Sequence, residues 1–388
     1  MLEIAELKLS SQKILNSLME KVSIIIPVLR ESEFLEATLS SFARDSYQNK
    51  QIIAVIDEPT QRSLDTAERF KDQVRFILNK KRIGKSNALN AAVKASDGDI
   101  LFFFDSDNVL DGHSGDTISK LVDGIRGKDV VEFKINVIKD SMVSKMVSFE
   151  FASANLTNIL YSRFAKRKPI VGGAAFAIRR QVFFDIGGFR NFIAEDLDFG
   201  WRAFEKKKSY SQIDSIKIST KSPPNLSSWF VQRRRWAVGT AEWFVRSYRS
   251  IFMGTIKTTS SVTVPSIFIL FPTAVLGVIS LFLSESLLEK FAIIFLTLLP
   301  LKIPQITPVV FVVFTSVTLL KSVVMYALGF TVSLALSYIA CRSIGQKFSV
   351  GEFAIYYFVY SPVMLVMFAY GFFRVCILRN FGLPDWKV

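Results

Sequence analysis

Asp105 and Asp107 stand two residues apart in GDILFFFDSD, just past an apolar run that reads as a buried strand. Two carboxylates at that spacing on a strand end can reach one hard cation together, and such a cation can bridge protein oxygens and a diphosphate. Alone, a D-x-D at a strand end is equally well explained as a turn or a cap. A third acid, Asp57, ends a second apolar run, QIIAVID, so three acids face one crevice. Beside them lie Lys80, Lys81, Arg82 and Lys85, opening the helical pattern SNALNAAVKAS. Cations before a helix N-terminus, together with its free N–H groups, suit a phosphate-bearing ligand; a solvated basic loop has the same composition. Further on, Glu195 and Asp196 in AEDLDFGWR precede the helical pattern Leu197–Phe204, where acids are ordinary partners of the helix dipole.

The elements that must carry these residues alternate. VSIIIPVL (Val22–Leu29), QIIAVID (Gln51–Asp57), VRFILN (Val74–Asn79) and GDILFFFDSD (Gly98–Asp107) read as strands, and helical patterns cover Glu31–Phe42, 60–71 and Ser86–Ala95. Such alternation predicts an α/β domain with a mostly parallel sheet. Ligands of these sheets bind outside the carboxyl ends of the strands, where Asp57 and Asp105–Asp107 stand.

Of the 388 residues half are apolar, 36 are Phe, and the net charge is +14, which excludes a disordered chain. The charge is unevenly spread. From Thr259 onward there are eight basic and four acidic residues in about 130 positions, so charge density falls about threefold and a membrane domain is expected. Val262–Leu283 and Phe353–Val375 read as spans, whereas Phe291–Cys341 is interrupted by Pro300, Lys302, Pro304, Pro308 and Lys321; three or four spans fit. Residues 226–258, containing VQRRRWAVGT, interleave aromatic and basic side chains as interfacial helices do. That composition also suits nucleic acid, but an adjacent membrane domain argues against such a partner. The first twenty residues read as an amphipathic helix, too charged for a signal peptide, so the domain at 21–225 is expected to stay on the side where it is made. The remaining segment, 259–388, is the membrane domain. Cys341 and Cys376 are too few for a disulfide framework or zinc ribbon and read as small buried hydrophobes; the single His113 excludes multi-His zinc chemistry.

Taken together, VSIIIPV…E, VIDEPT, GKSNALNAAVKASDGDILFFFDSD, VGGAAFAIRR, AEDLDFGWR and QRRRW resemble the membrane-integrated family 2 glycosyltransferases over about residues 22–245. Cellulose, chitin and hyaluronan synthases and ceramide glucosyltransferase belong to this group. The resemblance implies a GT-A fold and inverting transfer from a nucleotide-diphosphate sugar, expected to be a UDP-sugar. It puts Pro27, Glu31, Asp57, Lys85, Asp105 and Arg235 on the donor, and Asp105 and Asp107 on Mg²⁺ or Mn²⁺. Asp196 becomes the general base. Gly172, Gly173, Glu195, Gln232, Arg235 and Trp236 fall in the acceptor-side motifs, with Trp236 as a platform for a sugar ring. Two departures stand out: Leu29-Arg30-Glu31 replaces the usual aromatic-Asn-Glu, and Val171-Gly172-Gly173 replaces Cys-Gly-Ser. The implied acceptor is a growing β-linked polysaccharide, with a single transfer to a lipid as the alternative. An inactive membrane scaffold is disfavoured because every expected acid is present. The implied location is the plasma membrane, with the catalytic domain facing the cytoplasm. So few helices can hardly enclose a glycan channel, so extrusion would need a homo-oligomer or another partner.

Overall fold

The computed structural model describes residues 19–112, 115–256, 260–271 and 306–380. The expected helix at 1–20, except its last two residues, His113, and the parts of the expected spans within 272–305 lie outside the described residues.

Eight strands form one sheet: β1 (Val22–Leu29), β2 (Lys50–Asp57), β3 (Val74–Asn79), β4 (Ile100–Phe104), β5 (Asn108–Leu110), β6 (Val130–Val137), β7 (Ala175–Arg179) and β8 (Tyr210–Thr220). Their order is β3-β2-β1-β4-β7-β6-β8-β5. The β1–β2, β2–β3, β1–β4 and β6–β8 pairs are parallel, and β4–β7, β6–β7 and β5–β8 are antiparallel. Chain order reverses between β1 and β4, and there the strands part. Their ladder ends at Ile25–Phe103, while β1 continues beside β2 to Leu29–Asp57. Pro27, which has no N–H to give, lies beyond that last β4 pair.

Helices cover both faces, which explains the uninterrupted apolar runs. Ile24, Ile26, Phe102 and Phe104 pack under α1 (Leu35–Ala43) and α4 (Thr117–Gly124). Ile25, Leu101 and Phe103 pack under α3 (Lys85–Lys94) and α7 (Glu195–Glu205); α2 (Gln61–Arg69) and α6 (Arg180–Ile186) complete the layers. Helix α1 starts at Leu35, later than its periodicity predicts. The Ser32 hydroxyl accepts from Phe34 N at 3.2 Å and donates to the Ser106 carbonyl, so the segment stitches β1 to the Asp105–Asp107 turn.

The C-terminal half hangs on two further helices. Helix α5 (Met142–Leu160) and the 31-residue α8 (Leu226–Ile256) meet α11 (Val350–Ile377) in a cluster that includes Phe149, Trp229, Phe353 and Tyr356. Helices α8 and α11 touch backbone to backbone: a Cβ on Gly371 would sit 2.6 Å from the Ala237 carbonyl carbon. The expected interfacial segment is thus one helix, and its aromatics divide. Trp229 and Trp243 are buried against protein, while Phe230 and Phe244 are exposed. Helix α9 (Ser260–Leu270) begins the first expected span, and α10 (Ile306–Ser343) runs 38 residues, past Pro308 and Lys321. Val323–Ser343 and Val350–Ile377 are long and apolar enough to cross a membrane, and only 22% of each apolar window is buried, whereas a soluble core helix would be mostly buried. Cys341 is buried as expected, but Cys376 is exposed, because its position on α11 faces away from the protein.

Candidate active site

Lys85 opens α3, just after Gly84. Its Nζ lies 2.8 Å from Asp105 Oδ2 and 3.4 Å from Glu195 Oε1. It therefore joins a strand-end acid to the first turn of α7, ninety residues further along the chain. Burial opposes the charge on Lys85, but Asp105 and Glu195 outweigh it and hold the ammonium well above its ordinary range. Burial pushes the Asp105 carboxyl up to about 7 against the pull of Lys85, with Asp107 adding to the rise. The Asp107 side chain is exposed, and its carbonyl accepts from Lys221 N at 3.1 Å.

Asp196 occupies the next position of α7, half-buried beside Glu195. Its Oδ2 accepts from Gly173 N at 3.1 Å and its Oδ1 from Leu197 N at 2.9 Å. Burial, and then the neighbouring Glu195 charge, push its carboxyl up to about 6. The Gly173 contact is too close for any side chain: a Cβ there would lie 2.7 Å from Asp196 Oδ2. The docking of α7 is set by apolar packing, with the Phe199 ring 4.7 Å from Phe189 and 5.8 Å from Phe176. Helix α8 adds Arg235, which feels Glu195, Asp105, Asp196 and Asp107 at once; burial lowers its pKa and these acids oppose the fall. Gln232 and Trp236 are half-buried on the same helix.

Lys85, Asp105, Asp107, Gly173, Glu195, Asp196 and Arg235 thus form one cluster. Asp57 and Glu31 stand apart from it. Both Asp57 oxygens are engaged: Oδ1 accepts from Asn79 Nδ2 at 2.9 Å, and Oδ2 from Ile83 N at 3.0 Å and Gly84 N at 3.1 Å. Asp57 therefore holds the basic loop that runs into α3. Glu31 Oε2 accepts from the Thr60 hydroxyl at 2.7 Å.

Sequence reasoning missed Glu132. This buried β6 acid binds Lys168 Nζ, accepts from Gly172 N, and accepts from the Tyr210 hydroxyl at 2.6 Å. It fixes the turn that aims Gly173 N at Asp196. Its signal was an acid inside the strand VVEFKINV. Glu242 of α8 was also missed; it accepts from Ile193 N at 3.3 Å, just ahead of α7.

Among the described residues no three His, Cys, Asp or Glu side chains gather to hold a metal. Asp105 and Asp107 offer two hard carboxylates beside an open crevice. That donor set fits a cation such as Mg²⁺, which takes one or two carboxylates and completes its shell with phosphate oxygens and water.

Residues 23–187 match the model of the family described as Glycosyl transferase family 2, and the chain carries a domain of that family with the GT-A fold. The chain is 24% identical over 235 residues to the probable glycosyltransferase YdaM of Bacillus subtilis (strain 168), covering 56% of this chain and 55% of that protein. It is 23% identical over 252 residues to a poly-beta-1,6-N-acetyl-D-glucosamine synthase of Staphylococcus aureus (strain COL), covering 62% and 58%. The chain therefore spans a little over half the length of these curated relatives. Among solved structures, the mannosyltransferase PcManGT from Pyrobaculum calidifontis in complex with GDP-Man and Mn²⁺ is similar with a TM-score of 0.49 and 16% identity, over 84% of this chain and 87% of that one.

Proposed function

We propose that the protein is a membrane-bound, metal-dependent inverting glycosyltransferase that takes a sugar from a UDP-sugar. The observation that carries this reading is the Lys85–Asp105–Glu195–Asp196 cluster with Arg235, built at the carboxyl edge of a family 2 domain. Asp105 and Asp107 would hold Mg²⁺ or Mn²⁺, which when bound neutralises the donor diphosphate. Lys85 and Arg235 add positive charge where the leaving diphosphate becomes more negative. Pro27, Glu31 and Asp57 line the nucleotide side, Asp57 chiefly by shaping the loop to Gly84. The acceptor hydroxyl oxygen forms its bond to the anomeric carbon as the bond to the diphosphate oxygen breaks. Asp196 takes the hydroxyl proton, and the nucleoside diphosphate departs with the bonding electron pair.

The acceptor is a growing β-linked glycan, supported by the similarity to the Staphylococcus poly-beta-1,6-N-acetyl-D-glucosamine synthase. A single transfer to a lipid is the rival, since a lipid acceptor could approach sideways through the bilayer along α8. Purified protein incubated with a panel of radiolabelled nucleotide sugars and Mn²⁺ tests both. A product ladder supports the glycan, and one organic-extractable species that never lengthens overturns it.

Gly173→Ala is expected to leave nucleotide binding intact and lower transfer by at least about tenfold, because the added carbon displaces the Asp196 carboxylate. Unchanged transfer would show that this contact does not matter to the reaction.

The exposed apolar helices carry the domain on the membrane, and the arginine-rich α8 lies on the cytoplasmic side. A Lys207→Cys variant, made with Cys341 and Cys376 replaced by serine, is expected to be protected from an impermeant thiol reagent in intact cells. Labelling from outside would refute a cytoplasmic catalytic domain.

A further inference from the structure

The three consecutive arginines of QRRRW have different surroundings. Arg233, the first, is 1% exposed and points away from the acid cluster, between α5 and α11. Its Nη2 pairs with Glu150 of α5 and donates to the Tyr360 hydroxyl of α11 at 3.1 Å. That hydroxyl donates to Glu150 Oε1 at 2.9 Å and accepts from Trp229 Nε1 at 2.8 Å. One donor and two acceptor positions are all that a tyrosine hydroxyl has, so Tyr360 is fully used. The rest of the guanidinium is different. Nε and Nη1 are buried without a hydrogen-bond partner among the described residues, and Cζ lies 4.0 Å from the centroid of the Trp236 ring. A guanidinium over an indole face is attracted by the ring's electrons, more strongly when water is excluded. Among its described contacts, Nη2 makes the hydrogen bonds and the ion pair, while the Trp236 ring, and the Trp229 ring at 5.8 Å, face the rest of the cation.

We infer that Arg233 is a positioning residue for Trp236, and that the apolar helix α11 sets the orientation of the acceptor platform through Tyr360 and Glu150. This inference rests on the glycosyltransferase reading and on Trp236 meeting the acceptor, as the family resemblance implies. It makes α11 more than an anchor: a change at Tyr360 reaches the acceptor side through one hydroxyl, while Lys85, Asp105 and Asp57 on the donor side share no bond with this network.

Arg233→Met would leave the half-buried Glu150 without its cation and could unfold the interface, so the test uses Tyr360→Phe, which removes one oxygen. The full chain is labelled with 5-fluorotryptophan, and its five indole resonances are assigned by single Trp→Phe variants. In Tyr360→Phe the Trp236 resonance is expected to shift and broaden, as Trp229 does, while Trp201 and Trp243 stay in place. A shift confined to Trp229 would overturn the inference, because a merely structural hydrogen bond would move nothing further. Kinetics give the second readout, with UDP-GlcNAc as donor and a short β-1,6-linked N-acetylglucosamine oligomer as acceptor. The acceptor KM is expected to rise about fivefold, the scale of one lost hydrogen bond, with the donor KM held within about twofold. Equal movement of both KM values, or of neither, would also overturn it. If the unaltered protein transfers nothing between these substrates, the proposed reaction fails for them, and the fluorine spectrum still decides the role of Arg233.

Discussion

Asp196→Asn is expected to lower sugar transfer by about 10²-fold or more while nucleotide binding persists, because an amide keeps the shape and hydrogen bonds of the carboxylate but takes no proton. Asp196 is preferred to its neighbour on physical grounds. Glu195 is buried and paired with Lys85 at 3.4 Å, whereas Asp196 is half-buried and held by two backbone N–H groups. A carboxyl raised to about 6 by burial and by Glu195 is a better base than an ordinary one, at the cost of being neutral in mild acid. The transfer rate of the unaltered enzyme should therefore climb as pH rises through about 6, where the group loses its proton. Lys85, whose ammonium Asp105 and Glu195 hold well above its ordinary range, stays charged as that happens. A dead Glu195→Gln beside an active Asp196→Asn would assign the proton to the other acid.

Much of this site is legible in the sequence because strands advertise their ends. Asp57 and Asp105 each close an uninterrupted apolar run, and a run buried on both faces can end only where the sheet does. What the sequence could not convey was which distant acid joins them. Glu195 and Asp196 reach Lys85 because α7 is docked by Phe176, Phe189 and Phe199, and nothing in the local pattern of AEDLDFGWR specifies that docking. The acid Glu132 was overlooked since one polar residue in a β6 pattern reads as an outward-facing position; it points inward because Lys168 and Tyr210 meet it there. The arginine triplet concealed its division of labour for a geometric reason. Successive helical residues turn by about 100°, so Arg233 and Arg235 face nearly opposite sides of α8, one towards α5 and α11 and one to the acids. Cys376 was expected inside for its apolar surroundings, but on a helix that presents most of its surface outward such surroundings say nothing about burial.

Chelation should stop the reaction altogether. EDTA is expected to abolish turnover, Mn²⁺ or Mg²⁺ to restore it, and Asp107→Asn to weaken donor binding even at saturating metal. The reason is electrostatic. A donor diphosphate must approach Asp105 and Asp107, and two like charges 4 Å apart repel by about 4 kcal/mol even at an effective dielectric of 20. Lys85 cannot cancel that repulsion alone, because it already neutralises Asp105 at 2.8 Å and leans on Glu195. Arg235 is likewise shared among four acids. A divalent cation held by Asp105 and Asp107 would supply the positive charge that offsets this repulsion, so its removal should act on binding as well as on rate. The two carboxylates need not respond equally. Asp105→Asn also frees Lys85 to meet the phosphates, so its binding defect should be smaller than that of Asp107→Asn, with transfer impaired in both. Full turnover in EDTA, with added Mn²⁺ changing nothing, would mean that Lys85 and Arg235 carry the diphosphate unaided and that the paired aspartates serve the fold instead.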